Sequence, residues 1–233
     1  MIRRAGIILA VALFGLVFAR LTVHHIERQS LPPLAKRYVE LVPQELGAPN
    51  VITGILLTYR AFDTLGEVAV LFMVAAGVGL VLGRRERRSA TPLREAPQPP
   101  RQASEIVRTG AQILVPLIAI FAAYIIMNGH LSAGGGFQGG AVVASSAILL
   151  LLADPRQRFE QQFLSNTESA AGVLFVLVGV AGLIFASGFL DNRVLPLGQF
   201  GAFFSAGAIP LLSVLLGAKV GCELSVIIDR FRA

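Results

Sequence analysis

Six long apolar segments dominate this sequence and restrict what the chain can fold into. They cover residues 7–19, 62–82, 110–127, 139–152, 170–189 and 201–228. In lipid a segment must satisfy its own backbone hydrogen bonds, and a helix of roughly 20 apolar residues does so while it spans the bilayer core. Of the 233 residues, 55% are hydrophobic and 15% are charged, whereas roughly a quarter of a soluble domain is charged. The sequence therefore predicts an all-α, polytopic membrane helix bundle with about six transmembrane helices.

The Lys and Arg residues between these segments predict the orientation of the chain. One set of loops carries Arg3, Arg4, Arg84, Arg85, Arg87, Arg88, Arg94, Arg101, Arg108, Arg156, Arg158, Arg230 and Arg232. The other set carries Arg20, Arg28, Lys36, Arg37 and Arg193. Because loops rich in Lys and Arg remain in the cytoplasm, six spans place both termini on the cytoplasmic side of the inner (plasma) membrane.

The first apolar segment has two interpretations. Its basic flank and apolar core fit either a cleaved signal peptide or an uncleaved membrane anchor. Residues 17–19, Val-Phe-Ala, match a small-x-small cleavage site poorly. The anchor is therefore the favoured interpretation, and the later loops keep their sides under either one.

Residue content excludes several function classes. The formal net charge of +6 does not indicate nucleic acid as a partner, because the arginines cluster in short loops and no basic patch is interleaved with aromatic residues. Cys222 is the single cysteine, so no intrachain disulfide can form. No metal-ligand cluster, nucleophile–base set or haem motif is present, so we expect no cofactor.

A proline-rich stretch divides the chain. Residues 89–104 are polar, contain several prolines and have no apolar periodicity, which is typical of a mobile linker. We predict a two-span unit at residues 1–88, a cytoplasmic Pro/Arg-rich linker at 89–107 and a four-span domain at 108–233.

The segment before the second span predicts a broken helix. A continuous helix over residues 50–82 would be roughly 50 Å long, well beyond the bilayer core. We therefore expect a break near residues 58–61, with residues 50–57 at the outer interface.

Four polar residues lie at helical spacing at the start of this span. Arg60, Asp63, Thr64 and Glu67 share one helix face, which predicts an ion-pairing cluster at the outer mouth. A carboxylate inside a membrane is costly unless it is paired, hydrated or protonated, so Glu67 is the first candidate for an ion path. Arg60, Asp63 and Thr64 are further candidates for the same path. The alternative is a structural clamp of Arg60 with Asp63 and a bond from Glu67 to a neighbouring subunit.

The last span carries a second pair of ionisable residues. Lys219 and Glu223 stand at positions i and i+4, below a kink expected at Pro210. Either the pair serves an ion path, or the Lys219 side chain snorkels to the cytoplasmic interface. The sequence favours neither alternative.

A glycine-rich segment joins the third and fourth spans. Residues 128–140 read Asn-Gly-His-Leu-Ser-Ala-Gly-Gly-Gly-Phe-Gln-Gly-Gly. No Gly-Lys-Ser/Thr follows and no strand precedes, so it is neither a phosphate-binding loop nor a dinucleotide fingerprint. The glycines allow a tight turn and close helix packing. The motif residues are Gly134, Gly135, Gly136, Phe137, Gln138, Gly139 and Gly140. His130 is a candidate proton relay, although a lone histidine in an external loop is more often exposed or hydrogen-bonded.

Residues 128–140 resemble the signature of the MrpB-type subunit of Mrp-type multisubunit cation/proton antiporters, which commonly reads N-G-H-x-x-P-G-G-G-F-Q-G-G. Ala133 stands where the family has proline, and the similarity covers residues 104–233. Residues 59–67 resemble the D-F-R-G-x-D-T-x-x-E segment near the C-terminal end of the large MrpA-type subunit. In membrane-bound hydrogenases that share the module, this piece is a separate small protein of the E type. Tyr59 and Ala61 replace Phe and Gly of that pattern.

The chain thus resembles a fusion of the small E-type hydrogenase protein with an MrpB-type antiporter protein. The resemblance implies a membrane subunit that supports or lines an ion path beside the antiporter-like subunits. The partners it implies are the other Mrp subunits, of the A, C, D, E, F and G types, together with the lipid bilayer, Na⁺ and H⁺. Glu67 would face a neighbouring small subunit along a cation route, with a transient Na⁺ near its carboxylate.

Two other functions fit the same residues. The chain could be a non-catalytic part of the membrane arm of a hydrogenase or related redox complex, in which electron transfer drives the module. It could also be a purely structural subunit that seals the interface between antiporter modules.

Overall fold

The computed structural model describes residues 2–25, 29–89, 103–154, 156–157 and 159–232, with side chains omitted for residues 2–3, 83–89 and 232. Its described residues form helices and connecting loops and contain no strand. The chain divides into two compact units, Met1–Arg37 and Tyr38–Ala233. The described residues form eight α-helices in the order α1 Ile2–Val23, α2 Pro33–Leu41, α3 Val51–Gly54, α4 Ala61–Ser89, α5 Glu105–Met127, α6 Gly136–Ala153, α7 Gln161–Phe185 and α8 Ile209–Arg232.

Six of the described helices are long and apolar enough to cross a membrane. The spans are Arg4–Val23, Ala61–Leu82, Glu105–Met127, Gly136–Ala153, Gln161–Phe185 and Ile209–Phe231. The prediction of an all-α polytopic bundle with about six spans is therefore confirmed. The side of the membrane on which each terminus lies stays a prediction.

The first unit contains α1, whose described side chains are exposed all round. A helix that is apolar on every face is typical of a membrane span. The α2 helix begins at Pro33, where proline is well tolerated because the first amide of a helix has no intrahelical partner.

The second unit is built around α8. More than half of the apolar window of α8 is buried, and α4, α5, α6 and α7 all pack against it. Close packing of α6 with α8 depends on glycine at four positions, which are Gly136 and Gly140 on α6 and Gly217 and Gly221 on α8. A Cβ added at Gly140 would lie 2.9 Å from the carbonyl oxygen of Gly217, and one added at Gly136 would overlap the carbonyl of Ser213. Gly221 opposes the Gly140 carbonyl, so two small-xxx-small pairs face each other.

The helix break expected near residues 58–61 is confirmed. The Asn50 side chain caps α3 by accepting hydrogen bonds from the amides of Ile52 and Thr53. A wide π turn, Ile55–Tyr59, follows α3 and ends at Arg60, whose φ of −118° and ψ of 37° leave the helical region. The α4 helix then starts afresh at Ala61.

The kink expected at Pro210 is absent, and that prediction was wrong. The apolar run 201–228 is not one helix, because α8 begins at Ile209 and Pro210 is its second residue. A proline in the first helical turn removes no intrahelical hydrogen bond and therefore causes no kink. Ala206 and Gly207, which fall inside that apolar run, have φ of 63° and 58° and lie in the preceding loop.

A compact loop, residues 186–208, connects α7 to α8. Its centre is Asn192, which is fully buried and donates from Nδ2 to the carbonyl oxygens of Leu46 at 2.9 Å and Ala206 at 3.0 Å. The Asn192 carbonyl accepts from the Ala208 amide at 2.9 Å. These bonds join the turn before α3 to the start of α8, so this loop is part of the fold.

The predicted linker falls mostly outside the described residues, since positions 90–102 are not described. Arg28, Arg94, Arg101 and Arg158 of the orientation pattern also lie outside them. The described chain resumes at residue 103, and the Ser104 side chain caps α5. The proposed boundaries at residues 88 and 108 therefore stay a prediction.

Candidate functional site

The two polar segments singled out in the sequence meet at one cavity of about 480 Å³. Thr64 and Glu67 of α4 form one wall, residues 134–138 of the glycine-rich segment form another, and Thr53 of α3 closes a third side. Glu67 is the one ionisable group among the described residues that line it. Its side chain is exposed and lies roughly 9 Å along the helix axis from Ala61.

The four-residue cluster predicted at the outer mouth divides into separate contacts. Arg60 and Asp63 form an ion pair, with 61% and 44% of their side chains exposed. Thr64 is buried, and its hydroxyl donates to the Leu56 carbonyl at 2.8 Å, which satisfies an acceptor at the helix break. Glu67 is therefore the one member of the cluster that makes no ion pair or hydrogen bond among the contacts described. An exposed ion pair contributes little to stability, about 0–1 kcal/mol.

Asn50 and Thr53 hold the glycine-rich segment in place. Asn50 Nδ2 donates to the carbonyls of Gly129 at 2.8 Å and Ser132 at 2.7 Å. The Thr53 hydroxyl donates to the Gly129 carbonyl at 2.8 Å, and the Asn50 amide donates to the His130 carbonyl at 2.9 Å. Sequence reasoning missed this clamp because its partners are about 80 positions apart. The asparagine at the start of α3 was the available signal, since Asn is a preferred N-cap.

Replacing Asn50 with alanine is expected to destabilise the protein by about 2 kcal/mol or more, because it removes an N-cap and two bonds to backbone carbonyls. Thermal unfolding of the purified protein in detergent measures the loss. Asn166→Ala is the matched control, because Asn166 is exposed and bonds only to Gln162 among the contacts described. Equal melting temperatures for the two variants would contradict the clamp.

The glycine-rich segment combines a strained turn with close helix packing. Gly134 and Gly135 have φ of 152° and 149°, a region that side chains disfavour. Gly139 packs against α5, where an added Cβ would lie 3.1 Å from the Ala122 carbonyl. Phe137 and Gln138 instead face the cavity and remain exposed. The segment thus brings a polar amide to the cavity that holds Glu67.

His130 is fully buried, so the expectation that it is exposed was wrong. Neither ring nitrogen has a hydrogen-bond partner among the described residues. Burial lowers the pKa of His130, against a smaller opposing effect of backbone groups of Ala202, Phe203 and Met127. The sequence could not show this burial because it depends on a contact between distant segments. The loop before α8 brings Ala202 and Phe203 beside the imidazole ring. Burial therefore favours the uncharged form of the imidazole.

A second group of ionisable residues is buried between α7 and α8. Lys219 Nζ lies 3.1 Å from Glu223 Oε2 and 3.2 Å from Glu168 Oε1. All three residues are buried, and Glu223 is completely so. Lys219 and Glu223 are thus paired, and the Lys219 ammonium is held inside the bundle, which disagrees with the snorkelling alternative. The role of this pair in an ion path stays a prediction. We call Glu168, Lys219 and Glu223 the buried triad.

Glu168 was missed by sequence reasoning. The apolar run was placed at residues 170–189, which left Glu168 outside the span, whereas α7 begins at Gln161 and carries Glu168 two turns in. If the predicted span had been extended to the polar residues before position 170, it would have included the Glu168 carboxylate.

The buried triad lies on a different cavity from Glu67. A groove of about 600 Å³ runs between α4, α7 and α8, and both Glu168 and Lys219 line it. The Phe72 ring lies 5.8 Å from the Lys219 ammonium, within the range of a cation–π contact. The structure therefore places Glu67 and the buried triad at two separate sites on two faces of α4.

Polar contacts at the same end as the helix break join Tyr59 to a neighbouring loop. The Tyr59 hydroxyl donates to the Glu45 carboxylate, and burial together with this bond raises the pKa of Tyr59 to about 12. Tyr59 is thus a neutral donor at physiological pH.

A second contact in the loop before α8 is the ion pair of Arg193 with Asp191. This bond lowers the pKa of the Asp191 carboxyl despite its burial. Neither Glu45 nor Asp191 was singled out from the sequence.

Among the described residues no group of three or more His, Cys, Asp and Glu side chains is arranged to hold a metal ion.

Membrane-spanning helices with buried ionisable side chains place this chain in the class of polytopic subunits of ion-translocating membrane complexes. The family model described as a domain related to the MnhB subunit of the Na⁺/H⁺ antiporter matches residues 106–226, and the MbhE model, which describes the E-type subunit of MBH, matches residues 1–103. The chain therefore belongs to the MnhB-related antiporter-subunit family, with an MbhE-like region before it. The predicted fusion is confirmed.

Relatives with known sequences agree with this assignment. An uncharacterised protein of Methanocaldococcus jannaschii is 29% identical over 93% of this chain and 88% of its own length. A probable K⁺/H⁺ antiporter protein of the A/B type from Rhizobium meliloti is 27% identical over 78% of this chain, which matches 20% of that longer protein.

Two solved structures share the fold. A chain of the membrane-bound sulfane sulfur reductase, an archaeal respiratory membrane complex, superposes with a TM-score of 0.78 at 34% identity and covers 99% of this chain and 98% of its own. A chain of the Mrp complex from Dietzia sp. gives a TM-score of 0.73 at 26% identity, over 97% of this chain and 26% of its own. Assignment to the Mrp-type antiporter family is therefore confirmed. A chain of a respiratory membrane complex is a further relative of this protein.

Proposed function

We propose that the chain is a non-catalytic membrane subunit of an Mrp-type monovalent cation (Na⁺)/proton antiporter complex, in which it lines an ion path beside the antiporter-like subunits. The cavity shared by Glu67 and the glycine-rich segment is the observation that carries the proposal. It joins the two regions that match separate family models. One chain therefore contributes both walls of a site that contains a carboxylate.

Glu67 is suited to transient contact with a cation. It lies within a membrane-spanning helix, its side chain is exposed, and it has no partner among the contacts described. An intramembrane carboxylate needs water, a partner or a counter-ion, and the cavity has room for hydration. We assign Na⁺ or a similar monovalent cation to this carboxylate, with Thr64 fixing the backbone above it. Arg60 and Asp63 form the entrance.

The proposed setting is the inner membrane, with both termini in the cytoplasm. The proposed partners are the A, C, D, E, F and G types of Mrp subunit. Large apolar side chains on α1, α4, α5 and α7 are exposed, including Phe14, Phe72, Ile120 and Phe185. In a membrane such faces contact lipid or neighbouring subunits. The domain boundaries 1–88, 89–107 and 108–233 belong to the same proposal.

A redox-driven complex is the second candidate function, because the respiratory-complex chain is 34% identical over nearly the whole length of both chains. The chain would be non-catalytic there too. Copurification of the native complex separates the two: iron–sulfur or hydrogenase-type subunits among the partners would support the redox-driven complex, and their absence would support the antiporter.

Replacing Glu67 with glutamine is expected to reduce cation-dependent proton flux by about tenfold or more in vesicles that contain the intact complex, because the amide cannot neutralise a passing cation. Glu105→Gln is the matched control, since Glu105 is exposed at the start of α5. Normal assembly with unchanged flux would refute the proposed role of Glu67. Loss of assembly would favour a structural, sealing subunit.

A further inference from the structure

The buried triad contains more acidic groups than basic groups. Two carboxylates, Glu168 and Glu223, share one ammonium, that of Lys219. With all three ionised the triad carries one excess negative charge. Lys219 lies roughly 15 Å along the axis from Ile209, the start of α8, and so well inside the span. An uncompensated charge at that depth is costly.

One carboxylate oxygen of the buried triad has no hydrogen-bond partner among the described residues. Glu223 is fully buried, and its Oε1 makes no hydrogen bond among the described residues, whereas its Oε2 contacts Lys219. A buried carboxylate oxygen without a donor is unfavourable. A proton on the carboxyl group removes the excess charge and converts this orphan acceptor into part of a neutral group.

The groups that face Glu223 are few. Glu223 lies near Glu168 of α7 and near Lys219 of its own helix. The Cys222 thiol lies near Glu168. The α4 helix presents Leu65, Val68 and Phe72 to the groove beside the triad, and its Glu67 lines the other cavity. The described part of α6 contains no ionisable residue. Lys219 is the one cation among the described groups that act on Glu223.

We propose that the buried triad is a proton-binding site, separate from the Glu67 cavity, that takes up and releases one proton. The proton forms an O–H bond with one carboxylate oxygen, and the triad changes from a net charge of −1 to 0. On release the bond breaks and the proton passes to water or to a neighbouring group through the groove that Glu168 and Lys219 line. This inference rests on the proposed function in that it assigns the proton side of the exchange.

A proton suits the triad better than Na⁺. The Lys219 ammonium already occupies the position between the two carboxylates, so a metal cation would lie beside a positive charge. A hard cation also needs several oxygen ligands, and beyond the two carboxylates the groove walls are mostly apolar. A proton requires only one oxygen.

The test uses Glu223→Gln and Glu168→Gln in the intact complex. Glutamine has the shape of a protonated glutamate, so each variant fixes the triad at net charge 0 and is expected to assemble normally. We expect proton flux in vesicles to fall by about tenfold or more in each variant. We also expect infrared difference spectra to lose the band of a protonated carboxyl group. Glu160→Gln, exposed before α7, is the control.

The outcomes separate this proposal from that for Glu67. Loss of the carboxyl band in Glu223→Gln or Glu168→Gln, with the band retained in Glu67→Gln, supports a proton site in the triad. Wild-type flux and an unchanged band in both triad variants would overturn it, whatever Glu67→Gln does. If one triad variant fails to assemble, the other one decides between these outcomes.

Discussion

Replacing Lys219 with methionine is expected to prevent stable assembly of this protein into its complex. The substitution keeps the length and much of the volume of the side chain but removes the ammonium that lies 3.1 Å and 3.2 Å from two buried carboxylates. Glu168 and Glu223 would then face each other without a counter-ion. Removing one member of a buried ion pair costs about 3–5 kcal/mol, a large share of the total stability of a typical domain. The yield and melting temperature of the complex in detergent measure the loss.

The origin of that loss can be isolated with a compensated variant. Lys219→Met combined with Glu168→Gln and Glu223→Gln removes every charge of the triad and is expected to recover most of the yield. Replacing a whole buried ionic group with neutral residues is often tolerated. Lys36→Met is the control for the substitution itself, because Lys36 is exposed on α2. An assembled Lys219→Met complex as stable as the wild type would show that the ammonium does not balance the carboxylates.

Replacing Gly140 with alanine is expected to destabilise the α6–α8 pair, against the ordinary preference of helices for alanine. Helix propensity alone favours alanine by about 1 kcal/mol. At Gly140, however, the new methyl group would lie 2.8 Å from Val220 Cβ, 2.9 Å from the Gly217 carbonyl oxygen and 3.0 Å from the Gly221 amide nitrogen. Overpacking costs about 1–3 kcal/mol, and two of these atoms belong to the backbone and cannot rotate away. Packing therefore outweighs propensity.

The matched control for this prediction is Gly77→Ala in α4. An added Cβ at Gly77 meets nothing within 4 Å, so propensity alone applies and the variant is expected to be as stable as the wild type or slightly more so. Thermal unfolding in detergent compares the two variants. A stabilised Gly140→Ala protein would show that α6 and α8 are not in backbone contact.

Much of the fold follows from the sequence because the bilayer imposes few choices. A backbone in lipid must be helical, so apolar runs identified the spans, and the limit on helix length predicted the break that the structure has at Arg60. Glycine at close spacing predicted tight packing after residue 134, since any side chain there would hold the helices apart. Helix periodicity also predicted the Lys219–Glu223 pair, which needs only one helix.

Contacts between distant segments were decided only by the tertiary structure. Glu168 completes the buried triad from another helix, and Asn50 reaches carbonyl groups about 80 residues away. His130 is buried, and the pKa of its imidazole is lowered, because a loop from a distant part of the chain lies beside it. Periodicity within one helix determines which residues share a face, but not which face of a neighbour they meet. The sequence by itself therefore determined the spans and the ionisable residues within them, and packing decided that Glu67 and the triad occupy separate sites.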